Sequence, residues 1–217
     1  MNILNYLQST SHLSRRKIVT LIKQGEILVN GKKVESFKHP IQLGDSIQIA
    51  NHNSNIVVPS TQDKKLLLFN KPKGYVVSKS DPHNATIYEL LPSEYQNYYY
   101  IGRLDKESRG LLLLTNVSEL VHQYEHPKFD IEKEYIIHLT SSIKKEDKIQ
   151  AKNGIIDDGE LLKCKDIIAL AEKNKYKIIL NEGKKRQIRR IIKALGYELL
   201  DLQRIREGEY KLGNLKE

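Results

Sequence analysis

The pattern of apolar and polar positions divides the chain into segments of different period. Ile18, Leu21 and Ile22 fall at the i, i+3, i+4 spacing of a short amphipathic helix, with Ser14 where an N-cap would stand. Ile27 and Val29 then alternate toward Asn30-Gly31, the strongest two-residue hairpin signal, and the chain returns through Val34. A second turn, Leu43-Gly44-Asp45, leads into another alternation at Ile47 and Ile49. Residues 51–63 are polar and turn-rich apart from Ile56 to Val58, and they predict a linker. Strands are predicted at residues 66–69, 110–115, 134–139 and 176–180. No regular alternation of strand and helix joins them, which points to a mixed, mostly antiparallel sheet with flanking helices. In KRQIRRIIKALG, Ile188, Ile191, Ile192 and Leu195 mark one face of a helix that Gly196 stops. The basic set Arg186, Arg189, Arg190 and Lys193 repeats that spacing two positions earlier, so the two stripes lie about 160° apart. The fold class expected is α+β, with a small module at 1–50, a linker at 51–63 and a larger unit at 64–217.

Charge changes this picture. The chain has 217 residues and 36 Lys+Arg against 27 Asp+Glu, a formal charge of +9 and a pI near 9.4, a balance suited to a polyanionic partner. Residues 1–50 hold seven Lys/Arg and three Asp/Glu, and Arg15, Arg16, Lys17 and Lys23 crowd the first helix. The bland alternative is a solvated basic face with no ligand. With Cys164 the only cysteine, no intramolecular disulfide can form. No apolar run approaches the ~18 residues needed to span a bilayer, and the first residues carry no basic leader. A soluble cytoplasmic protein without a membrane partner is expected.

The candidate chemistry centres on GRLDKESRGLLLLTN, where Asp105 sits between Arg103 and Gly110 just ahead of four leucines. A carboxylate where a loop enters a buried strand is either a cap or a site. Ser108 lacks the glycine two residues before it that a nucleophile elbow needs. Glu107 is too close along the chain to establish a pair of carboxylates facing each other across a cleft. His122 and His126 are spaced for zinc on a helix, but no third ligand is evident. KPKGY, at residues 71–75, has too few glycines for a phosphate loop.

The helix, basic cluster, Asn-Gly hairpin and Gly-Asp turn resemble, in that order, the S4 RNA-binding module. FNKPKGYVVSKSDPHNATIYELLP, then GRLDKESRGLLLLTN, HPKFDIEKEY and LNEGKKRQIRRIIKALGYELLDLQRIREG together resemble the RsuA/RluB-type pseudouridine synthase family over nearly the whole chain. Two departures stand out: Val117-Ser118 where the family commonly has Asp-Gly, and an end at Lys216-Glu217 where relatives often continue, as a short or cut C-terminus would. The resemblance implies an isomerase that needs no cofactor and no metal, acting on a uridine of ribosomal RNA, with a subunit assembly intermediate as the partner and a monomer as the working state. It implies Asp105 as the catalytic carboxylate, nucleophile or base, with Arg189 paired to it. Tyr135 would stack on the uracil and help remove the C5 proton, and Arg103 would fill the gap left by a flipped base. RNA contacts are expected from Arg15, Arg16, Lys17, Lys71, Arg186, Arg190 and Lys193. The rival readings are a non-catalytic assembly factor that binds ribosomal RNA on the same fold, and a synthase directed at transfer RNA.

Overall fold

The computed structural model of the protein describes residues 2–11, 13–42, 44–50, 52–57 and 65–217. They fall into two compact units: Met1–Lys65 with Pro92–Tyr99 and Asn116–Ser118, and Leu66–Leu91 with Tyr100–Thr115 and Glu119–Glu217.

The first unit opens with α1 (Ile3–Thr10), an element beyond those expected from the sequence. Its start is nevertheless signalled, since the Asn2 side chain accepts from the Asn5 amide at 2.9 Å, and Ile3, Leu4, Tyr6 and Leu7 are buried at helical spacing. Helix α2 (Arg15–Lys23) follows, with Ser14 capping Lys17 N and Ile18, Leu21 and Ile22 turned into the core. A four-stranded sheet of β1 (Ile27–Val29), β2 (Lys32–Lys33), β3 (Ser46–Ile49) and β4 (His52–Val57) runs in the order β2-β1-β3-β4. Both turn residues of the first hairpin, Asn30 and Gly31, have positive φ (52° and 77°), as a primed turn demands. Asn30 also donates to Asp45 and accepts from Ser46 N, tying that turn to the start of β3. Leu43, of the second predicted turn, lies outside the described residues.

Two expectations are corrected here. The predicted linker is a strand over His52–Val57, paired antiparallel to β3. Its pairing runs through backbone groups, which a polar His-Asn-Ser-Asn run supplies as well as an apolar one, so periodicity could not reveal it. Asn51 and residues 58–63 of that linker lie outside the described residues. Nor does the unit end at residue 50, because Pro92–Tyr99 also belongs to it, and the Tyr99 hydroxyl donates to Asn5 O at 2.8 Å.

The elements that follow are β5 (Leu66–Lys71), β6 (Tyr99–Ile101), β7 (Arg109–Thr115), α3 (Ser118–Glu125), β8 (Lys133–Leu139) and α4 (Lys145–Asn153). After these come β9 (Ile155–Asp157), β10 (Glu160–Leu162), β11 (Asp166–Ala169), β12 (Lys175–Leu180), α5 (Gln187–Ala194), β13 (Leu199–Glu207) and β14 (Tyr210–Lys211). The main sheet runs β11-β12-β8-β13-β7-β5, with β14 on β13 and β6 on β7, while β9 and β10 form a separate hairpin. Each step of that path is antiparallel except β13 to β7. The mixed sheet expected from the sequence is therefore present, and all four strand positions agree to within two residues.

Leu111 to Leu114 are all fully buried, because β7 is interior to the sheet and covered on both faces. Leu111 and Leu113 pack with Ile101, Tyr124 and Leu212. At the start of β7, Gly110 has φ +104°, and a Cβ added there would lie 2.3 Å from Arg204 O. Only glycine lets β13 approach β7 in this way.

Candidate active site

Asp105 lies on the loop between β6 and β7, and that loop is held from below. Ser108 N donates to Asp105 O at 3.0 Å, closing a turn. The Lys71 ammonium, at the end of β5, donates to the carbonyls of Pro72 (3.0 Å), Asp105 (3.2 Å) and Ser108 (2.8 Å). Lys71 is fully buried, so the expectation that it touches RNA is corrected. Burial drives the ammonium down to about 8, partly opposed by Asp105 and Glu107. With backbone oxygens on every side, its use is to fix the conformation of the loop.

Helix α5 supplies the other wall. Gln187 locks its start: the side chain accepts from Lys184 N and donates to Lys163 O and Glu182 Oε1. Arg186, at the N-cap, adopts the left-handed conformation with φ 52°, an uncommon state for a residue with a Cβ. Ile188, Ile191 and Ile192 are buried against the sheet, as the apolar stripe predicted. This anchoring points Arg189 at the Asp105 loop. Its Nη2 donates to Ser108 Oγ at 3.0 Å, and its Nε lies 3.4 Å from Asp105 Oδ2, close enough for an ion pair but not aligned as a hydrogen bond. Arg186 Nη1 stands 3.7 Å from the same carboxylate oxygen and 3.5 Å from Glu107 Oε2. Glu107 is held below the usual carboxylate range, first by its own amide and then by Arg186 and Arg189.

The basic stripe of α5 is thus not a uniform solvated ridge. Arg190, expected to bind RNA, is taken up by the β9–β10 hairpin: it meets Asp157 and Glu160 at 2.5 Å each and donates to Asp157 O at 2.6 Å. Its charge is neutralised by carboxylates 30 and 33 residues earlier, which a local reading cannot see. Lys193 is exposed, and Arg186 is exposed while facing the two acids. Arg15, Arg16 and Lys17 lie on the exposed side of α2 in the first unit.

Tyr135 enters from β8, whose alternation turns Tyr135, Ile137 and Leu139 inward. It is paired with Arg204 on β13 and Ile178 on β12, and it lines the same cleft as Arg103, Asp105, Arg186 and Arg189. Arg103 is exposed, and Leu104 beside it is buried. Burial pushes the Tyr135 phenol up, and Arg204 pulls it part of the way back. The structure therefore brings Asp105, Tyr135 and Arg189 together around one cleft with Arg103 and Arg186 beside them. It also adds residues not foreseen as part of the site: Ser108, the second acceptor for Arg189, and the buried pair Arg204 and Glu207 beneath the loop. Ser108 stands inside the Asp105 motif, where the local sequence shows only that it lacks a nucleophile elbow, and nothing local marks Arg204 apart from the arginines around it. The His122 and His126 rings lie with centroids 5.0 Å apart and tilted by 43°, and no group of three or more potential metal ligands occurs among the described residues.

Residues 65–194 match the family model described as RNA pseudouridylate synthase, and residues 1–47 match that of the S4 domain. The ribosomal large subunit pseudouridine synthase B of Bacillus subtilis is 32% identical over 209 residues, covering 94% of this chain and 82% of its own. The protein of the same name from Buchnera aphidicola is 35% identical over 224 residues, covering 95% and 87%. A crystal structure of a pseudouridylate synthase superposes with a TM-score of 0.68 at 24% identity, covering 100% of this chain and 93% of that one, a likeness of fold. No helix among the described residues is long and apolar enough to cross a membrane. With an S4 domain leading the synthase unit in the RsuA/RluB arrangement, the chain belongs to the RNA pseudouridylate synthase family.

Proposed function

We propose that this enzyme converts a uridine of ribosomal RNA to pseudouridine, with Asp105 as the group that acts on the sugar. The observation that carries the reading is the cleft itself, where Asp105 is bracketed by Arg189 at 3.4 Å and Arg186 at 3.7 Å and shares the lining with Tyr135. The reaction breaks the bond from N1 to C1′, turns the uracil, and forms a bond from C5 to C1′. N1 gains a proton and C5 loses one, so nothing is consumed. The departing uracil spreads its charge over two carbonyls, which makes a strong acid unnecessary, and one carboxylate acting as nucleophile toward C1′ or base toward the sugar suffices. Arg189, anchored through Ser108, aims that carboxylate. Tyr135 offers its ring face to the uracil and its hydroxyl to the exchange at C5. Arg103, exposed at the cleft, occupies the space a flipped uridine leaves in the RNA. A ribosomal substrate is supported by the names of the two bacterial relatives, and a subunit assembly intermediate, met by a monomer in the cytoplasm, is the form in which such RNA would be accessible. The test is Asp105→Asn, which should abolish isomerisation and leave RNA affinity within a few-fold, because base and sugar chemistry adds little to phosphate contact. Normal turnover by the Asn variant would remove Asp105 from the mechanism.

A further inference from the structure

Arg204 is an unusual use of an arginine. It is 1% exposed and Glu207 is fully buried, yet a buried ion pair seldom stabilises a fold better than apolar side chains of the same volume. The pair is also imperfect: Nη2 lies 3.1 Å from Glu207 Oε2 without hydrogen-bond alignment, and Lys133 Nζ is 3.9 Å from Oε1. Stability alone gives no reason to keep a charge there, and its neighbours supply one. Arg204 Nε donates to Leu111 O at 2.6 Å, just inside β7. A Cβ on Gly102, before the Asp105 loop, would meet Arg204 Nη1 at 3.7 Å and Glu207 Oε1 at 3.6 Å, and one on Gly110, after it, would meet the Arg204 backbone at 2.3 Å. Arg204 is also the direct partner of Tyr135 across β13 and β8, which puts the two side chains on the same face of the sheet, within reach of each other. A register shift follows between Arg204 and Arg206, and Arg206 stands opposite Glu134, paired at 2.9 Å, instead of continuing the Arg204 register.

We propose that Arg204 is a positioning residue for the isomerisation, fixing the Tyr135 phenol relative to Asp105 while bracing both ends of the Asp105 loop, with Glu207 as its fixed counter-charge. A single planar guanidinium can do this because its donors point in different directions from one rigid plane, which a lysine cannot reproduce. Burial by itself would favour loss of the charge, and Glu207 first, then Tyr135, outweigh it. The guanidinium therefore remains a cation against which negative charge on the phenol is tolerated when the C5 proton is exchanged.

The inference rests on Tyr135 meeting the uracil, so the test carries Tyr135→Phe beside Arg204→Met, Arg204→Lys and Glu207→Gln in the full-length protein. Turnover of an RNA substrate is measured at saturation and below it, with ordinary uridine and with uridine deuterated at C5, and thermal midpoints are recorded for each variant. Misplacing a reacting group by an ångström costs about 10²-fold, so Arg204→Met should lower kcat by roughly that factor with KM nearly unchanged. The C5 isotope effect should grow as proton exchange becomes rate-limiting. Arg204→Lys should fail to rescue, and Glu207→Gln, which keeps volume and loosens the guanidinium, should lower kcat about tenfold. If Arg204→Met does not fold, the Lys and Gln variants decide the matter by the same readouts. A folded Lys or Gln variant with unchanged kcat and isotope effect, differing only in thermal midpoint, would make the pair a structural feature and overturn the proposal. Full activity in Tyr135→Phe would instead overturn the role given to Tyr135, and with it this inference. A slow Tyr135→Phe beside fast Arg204 variants would overturn the inference alone.

Discussion

Helix α2 presents Arg15, Arg16 and Lys17 to solvent, and among the described residues no carboxylate pairs with any of the three. Helix α5 carries a comparable density of cations, but Arg189 is committed to Asp105 and Ser108, Arg190 to Asp157 and Glu160, and Arg186 leans toward Asp105 and Glu107. Both helices bury an isoleucine-rich stripe, Ile18, Leu21 and Ile22 in one and Ile188, Ile191 and Ile192 in the other. The difference lies in what the rest of the chain brings near. Solvated cations suit a partner recognised by its charge, whose phosphates they can neutralise at any sequence. Cations matched to carboxylates have little charge left to offer and serve geometry instead. Two helices of one chain can therefore share a pattern, one used for affinity and the other for arrangement.

This contrast can be broken most severely at Arg189. Arg189→Ala should lower turnover by about 10²-fold with little change in RNA affinity, because it leaves Asp105 in place but no longer aimed. Comparable losses from Arg189→Ala and Lys193→Ala would mean that α5 acts only as an electrostatic footprint, like α2. Arg190→Ala should show a second kind of commitment, to structure. It releases the β9–β10 hairpin and lowers stability modestly, read by denaturant unfolding, and leaves kcat within a few-fold. A large loss of turnover at unchanged stability would move Arg190 into the catalytic arrangement. The smallest effect per residue is expected on α2. Replacing Arg15, Arg16 and Lys17 together by Ala should leave kcat intact and flatten the dependence of log affinity on log salt, by about 0.7–0.9 for each phosphate no longer neutralised. An unchanged slope would show that this face does not meet RNA.

Charge replacement is a cleaner probe of the first unit than deletion. A cut at residue 50, which the sequence invites, would remove β3 from beside β4 and Asn5 from beside Tyr99, and would strip a fold rather than a tether.

The sequence was informative wherever a residue's role depends on its near neighbours. Ser14, Asn30-Gly31, the four leucines of β7 and the apolar stripe of α5 all behave as their local patterns indicate. It was silent where partners are far apart along the chain. Strand β4 pairs through its backbone, Arg190 is quenched by acids 30 and 33 residues away, and Lys71 is enclosed by carbonyls from a loop 34 to 37 residues on. The motif around Asp105 lay between these cases. Quoted as a string it names a family, but Ser108 and Arg204 acquire their meaning only when β7 and β13 lie side by side.

That adjacency has a consequence in time. The only parallel pairing on the path of the main sheet joins Arg109 and Gly110 to Gln203 and Arg204, over ninety residues later, and it lies directly against the loop that bears Asp105. Closing so long a stretch of chain costs more entropy than pairing β5 with β7, so this join is expected to follow the more local pairings. While the chain is being synthesised, β5 and β7 can already form their antiparallel pair, and Lys71 can already hold the loop carbonyls. Arg204 comes to lie beside Tyr135 and Gly110 only after β13 has left the ribosome and entered between β8 and β7. A nascent chain would thus pass through a stage in which its Asp105 motif is complete in sequence but unbraced in space.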